Sequence, residues 1–155
     1  MANKTRATLL IVLMTLCFNM VRAQDHPDFS GTWKLDGKRS VPERNGDVTL
    51  AIVHRDPLLK VETTIVRGSA APRHAVQDYR TDGKTSVSTG ADGDEFHTAI
   101  VWQGQNLAFT ITEHEDGRIL ESKETWSLAQ NGATLQRIRE MPDGKKQTLV
   151  YVRQP

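Results

Sequence analysis

Turn-forming residues recur through the second half of the chain at Gly104-Gln105, Asp116-Gly117, Asn131-Gly132 and Pro142-Asp143-Gly144, with alternating apolar and polar residues between them. Such spacing specifies antiparallel hairpins laid side by side. A hairpin turn sets strand register, and a slip of one residue sends every side chain to the opposite face. The turns therefore also decide which charged residues are carried inward.

Working outward from each turn gives a predicted ladder. A two-residue loop at Gly104-Gln105 sets Trp102 opposite Leu107 and Ile100 opposite Phe109. Asp116-Gly117 sets Phe109 opposite Glu124 and Leu107 opposite Trp126. Asn131-Gly132 sets Leu128 opposite Leu135, Trp126 opposite Arg137 and Glu124 opposite Arg139. One face collects the large apolar side chains, among them Ile100, Trp102, Leu107, Phe109, Trp126 and Leu135, and is the expected interior. The last turn allows two registers. A type I turn with a glycine bulge at Gly144 directs Leu149, Tyr151 and Arg153 inward, whereas a two-residue Asp143-Gly144 loop brings in Val150 and Val152 instead. Pro142 favours the bulge, because its fixed φ suits the first turn position.

Strand-like segments are expected at 29–35, 48–54, 58–66, 74–80, 84–89, 96–103, 106–113, 118–129, 133–141 and 145–153, with a loop at 36–47. No segment has a helical apolar period and no repeat suggests a solenoid. The expected fold class is all-β: an antiparallel up-and-down meander closed into a barrel of about eight to ten strands, because closure removes exposed sheet edges. A two-sheet sandwich is the competing architecture.

Lys4 and Arg6 precede an apolar run, and Val21-Arg22-Ala23 supplies a small-x-Ala cleavage pattern. Residues 1–23 therefore read as a secretory signal peptide, too short and wrongly flanked for a spanning helix, and residues 24–155 as a single domain. Export to the periplasm or the extracellular space is expected. The only cysteine, Cys17, lies inside the leader, so the exported domain must rest on burial rather than disulfides. Removing Lys4, Arg6 and Arg22 while keeping all 19 acidic residues leaves a slightly negative chain, which gives no basis for nucleic-acid binding.

The predicted inner face also carries Glu124, Arg137, Arg139 and, with the bulge register, Tyr151 and Arg153. Unpaired ions in a dry core lose hydration worth several kcal/mol. In one reading Glu124 and Arg139 pair across strands, Arg137 lies on the face of Trp126, and Arg153 closes one barrel end. In the other, surplus positive charge faces a partly wet cavity, where it receives an anionic head group while Trp102, Phe109 and Trp126 line an apolar body.

His26, His54, His74, His97 and His114 are scattered without a metal-ligand motif, and only His54 continues an inward pattern. The acidic segment 92–95 lacks the calcium-loop pattern and reads as solvated. No hydrolase, nucleotide or phosphate motif occurs, so no metal and no cofactor are expected. Glu124 as a pocket acid or base is the least favoured function, since a neighbouring Arg would hold it ionised.

The segment Asp28-Phe29-Ser30-Gly31-Thr32-Trp33-Lys34-Leu35 resembles the opening strand of calycins, the lipocalin and fatty-acid-binding-protein superfamily. The resemblance implies a calycin-like barrel in which Trp33, with Gly31 beside it, marks the fold and packs against a late basic residue, here Arg153. Fatty-acid-binding proteins hold a ligand carboxylate with Arg-x-Tyr on the last strand; here Tyr151-Val152-Arg153 runs in the reverse order. The segment 36–47 is too short for the helical lid of the intracellular members, so the chain looks like a secreted bacterial lipocalin-like protein. The expected function is non-catalytic binding of a small hydrophobic or amphipathic, lipid-like and anionic molecule. The expected contacts are Trp102, Phe109, Glu124, Trp126, Arg137, Arg139, Tyr151 and Arg153. A barrel module with a packed interior and no ligand is the alternative.

Overall fold

The computed structural model describes residues 26–90, 93–115 and 117–155. The expected leader with Cys17, Asp92 of the acidic segment and Asp116 of one turn lie outside the described residues. Ten antiparallel strands follow in order: β1 (Gly31–Leu35), β2 (Asp47–Arg55), β3 (Leu58–Val66), β4 (Arg73–Arg80), β5 (Ser86–Thr89), β6 (Glu95–Gln103), β7 (Asn106–Glu115), β8 (Arg118–Ala129), β9 (Thr134–Glu140) and β10 (Lys146–Arg153). No helix occurs among the described residues.

Every strand is hydrogen-bonded to its neighbour in sequence except between β4 and β5, and β1 also pairs with β10, giving one sheet in the order β4-β3-β2-β1-β10-β9-β8-β7-β6-β5. The sheet curls into a nearly closed barrel, not the two-sheet sandwich. Every predicted cross-strand pair from Ile100 to Arg139 is present, including Phe109 opposite Glu124 and Trp126 opposite Arg137. The last hairpin takes the bulge register. Gly144, with φ of 79°, donates to the Met141 carbonyl at 2.9 Å, and Leu135 stands opposite Tyr151.

Closure is less complete than the meander pattern suggests. Between β4 and the β5–β6 hairpin no ladder forms among the described residues beyond one bridge, Asp82 to Val101, with the Gly83 N–H on the Ile100 carbonyl at 2.9 Å. The shortness of β5 is one reason. Lys84, expected in a strand, lies in the preceding turn, where its N–H donates to the Asp82 carboxylate. The sheet therefore keeps two edges that meet at a seam.

The two ends of the barrel differ. At one end Phe29, just before β1, is fully buried and serves as a plug. The Trp33 indole N–H donates to the Phe29 carbonyl at 3.0 Å, and the Phe29 ring lies 6.3 Å from that of Trp126. At the opposite end the 36–46 loop leaves the mouth and lies along the outside of β10. Val41 exchanges backbone hydrogen bonds with Thr148 at 2.7 and 2.8 Å, and Ser40 Oγ accepts the Val150 N–H. Val150 is buried by that loop although its register faces outward.

Candidate functional site

Ladder register sorts the barrel interior into two layers. Toward the plugged end, Trp33, Leu50, Leu59, Leu107, Phe109, Trp126, Leu135 and Tyr151 are each at most 4% exposed and form a packed floor. The Phe109 ring stacks on Trp126 at 4.8 Å, and Tyr79 meets Phe109 edge-on at 6.1 Å. Toward the other end the inward positions turn polar: Ser122 and Arg139 on β8 and β9, Thr98 on β6, Gln77 on β4 and Gln147 on β10. Apolar residues that remain in this layer, such as Val48, Ile111 and Leu149, are only partly buried. The interior is therefore sealed below and partly exposed above, where Ser122 and Thr98 are still buried.

Glu124 lies at the boundary of the two layers. Its carboxylate accepts the Arg137 Nε–H at 2.6 Å and the Trp126 indole N–H through the same oxygen. Burial alone would raise the Glu124 carboxyl, but the Arg137 charge, these two hydrogen bonds and the Arg139 charge outweigh it and hold the group below the ordinary value. Arg137 also spreads its guanidinium over Trp126 at 4.6 Å and lies 5.8 Å from the Tyr151 ring. Desolvation raises Tyr151, and raises Tyr79 to about 12, so both phenols stay protonated. Glu124 is thus held as an ionised partner, with both donors on Oε1.

The expected pairing of Glu124 with Arg139 is corrected by this geometry. The two residues are opposite in the ladder, but the ion pair is made by Arg137. Arg139 turns instead to Ser122, donating to its hydroxyl at 3.2 Å, and its buried Nε has no hydrogen-bond acceptor among the described residues. A buried N–H without an acceptor costs about 1–3 kcal/mol. An anion brought within reach of that nitrogen would remove the cost, since a guanidinium offers a carboxylate or phosphate two parallel donors.

The other expected site residues are placed elsewhere. Arg153 stacks on Trp33 at 4.2 Å, and its donors go to the carbonyls of Ser30 and, at 2.9 Å, Gly132. It closes the plugged end, as the opening-strand resemblance implied. Trp102 belongs to the same end: its indole N–H reaches the Asp56 carboxylate at 3.1 Å, and His26 stacks on it at 4.0 Å. Asp56 is raised by burial but held low overall by Thr81, His54 and Trp102. His54 is inward but fully engaged, accepting the Phe29 N–H on Nδ1 and facing Asp56 with Nε2 at 2.9 Å, so it has no free nitrogen for a haem or metal. His97 and His114, scattered in sequence, meet on the outer face at a ring separation of 4.7 Å. No group of His, Cys, Asp or Glu among the described residues is arranged to hold a metal ion.

Ser122 and Tyr79 escaped the sequence reading. A small polar residue between Leu120 and Glu124 carries no signal by itself. Tyr79 reaches Phe109 only because barrel closure brings β4 round to β7.

Comparison with solved structures shows the fold. The chain is similar to secretory abundant heat soluble protein 4 from Ramazzottius varieornatus, with a TM-score of 0.63 and 11% identity over 83% of this chain and 96% of that one. It is also similar to a Schistosoma mansoni fatty acid binding protein in complex with arachidonic acid, with a TM-score of 0.60 and 12% identity over 82% and 96%. A third likeness is to Echinococcus granulosus fatty-acid-binding protein 1, with a TM-score of 0.58 and 12% identity over 82% and 98%. No family model matches the chain, and no curated protein matches it in sequence. The architecture is a nearly closed ten-stranded antiparallel barrel of the same fold as these proteins.

Proposed function

We propose that this protein is an exported, non-catalytic carrier that takes a small amphipathic, lipid-like molecule into the upper half of its barrel and holds an anionic end at Arg139. The single supporting observation is the Arg139 guanidinium, inside the barrel, with a buried Nε that no acceptor satisfies. Arg137 is neutralised by Glu124 and Arg153 is committed to the plugged end, so of the three expected arginines Arg139 is the one left for a ligand. The barrels of similar shape include fatty acid binding proteins, one of them in complex with arachidonic acid, which agrees with a lipid-like occupant. Fold likeness alone does not assign a ligand.

The packed floor favours a second reading, a barrel module that binds nothing. Mass spectrometry of protein purified without denaturation, followed by solvent extraction, separates the two. A co-purifying amphipathic anion supports the carrier. An empty barrel, with no change in Trp fluorescence on adding fatty acids or retinoids, favours the ligand-free module.

A further inference from the structure

The depth of the open layer limits what the barrel can enclose, and we infer that it takes a short-chain monoanion, head inward, covering no more than about eight carbons of its tail. This rests on the carrier function proposed above and goes further by setting the size class of the ligand.

The lower limit of the space is fixed by packed groups. Below Arg139 the Arg137–Glu124 ion pair lies along the β8–β9 wall, and Trp126, Phe109 and Tyr151, each at most 4% exposed, fill the interior beside it. A tail has no room to pass downward without displacing these packed rings, so an anion held at Arg139 must direct its tail toward the open end.

The upper limit is fixed by strand length. Arg139 is one residue from the end of β9, and its partner Ser122 is four residues from the start of β8 at Arg118. Four residues of strand rise about 13 Å, and at the usual barrel tilt about 10 Å of that lies along the axis. An extended chain of about eight carbons has that length. Leu120 on β8 gives a tail apolar surface along this stretch, with Ile111 on β7 level with Ser122 at its base and Glu113 opposite Leu120. Beyond Arg118 and Glu115 the wall stops.

The seam offers no side route for methylenes. A cavity of about 450 Å³ lies between β4 and β5, but it is lined by Thr63, Arg73, Gln77, Ser88 and Thr89 as well as Ile65 and Ala75. Its hydroxyls, an amide and a cation interrupt the apolar patches of Ile65, Ala75 and Val76, so it offers a tail no continuous apolar surface.

Titration calorimetry of the full chain with straight-chain carboxylates from butanoate to hexadecanoate, each kept below its micelle concentration, tests the inference. Affinity should rise about fourfold per methylene while each is buried, then level off near eight carbons. A steady rise to hexadecanoate overturns the length limit and leaves the carrier function standing. No heat at any chain length overturns both. Leu120→Asp should flatten the rise while preserving the folded near-ultraviolet spectrum; an unchanged slope contradicts the proposed tail path.

Discussion

Glu124 stands directly opposite Arg139 in the β8–β9 ladder, yet its carboxylate is held at 2.6 Å by Arg137, the diagonal neighbour on the same face. One carboxylate between two guanidiniums neutralises one of them. The choice leaves the inner arginine locked over Trp126 and the outer one on Ser122, so the wall of a packed core becomes the floor of the candidate site.

The first consequence is energetic. Glu124 is almost fully buried, so Glu124→Gln leaves Arg137 without its counter-charge and should cost about 3–5 kcal/mol in denaturant unfolding. Arg137→Met should cost a similar amount. The double variant should recover part of the loss, because no buried charge is left without its partner. Strictly additive losses would mean that the two side chains do not interact.

The second concerns acid. The folded Glu124 carboxyl titrates below its ordinary value of 4.5, so between those two values the unfolded chain binds more protons and stability rises with pH. Its contribution is complete above about pH 4.5 and is lost as pH falls through the folded value. The stability difference between wild type and Glu124→Gln should therefore shrink on acidification below pH 4.5. A difference that grows there would contradict the depressed titration.

The third concerns the plugged end. Gly31 has φ of 135°, and a Cβ there would lie 2.5 Å from the Arg153 guanidinium that stacks on Trp33. Gly31→Ala should destabilise by about 1–3 kcal/mol, through backbone strain and displacement of Arg153. In Arg153→Ala the steric part disappears, so the same glycine substitution should cost less. Equal costs in the two backgrounds would show that Arg153 is not what crowds Gly31.

Much of the architecture is legible in the sequence, for a local reason. The Gly104, Asn131 and Gly144 turns each fix the register of the strands they join, so the face shared by Phe109, Glu124, Trp126 and Arg137 follows from a few residues of context. What escapes is non-local or depends on side-chain reach. Val150 is buried by a loop a hundred residues away, and the incomplete seam depends on how short β5 is. Register names both Arg137 and Arg139 as neighbours of Glu124; only the rotamers decide which one it holds. The candidate site was therefore readable as a face and not as a division of labour.

The central claim is that Arg139 is an uncompensated cation inside the barrel, available to a ligand anion. Comparing octanoate with 1-octanol at pH 7 on wild type and on Arg139→Met isolates that charge. A charge-assisted hydrogen bond of about 1.5–3 kcal/mol predicts that wild type prefers octanoate by about tenfold or more. Arg139→Met should lose that preference while staying as stable as wild type, because it also removes a buried unsatisfied N–H. Equal affinity of wild type for the two ligands, or a preference that survives in Arg139→Met, would contradict it.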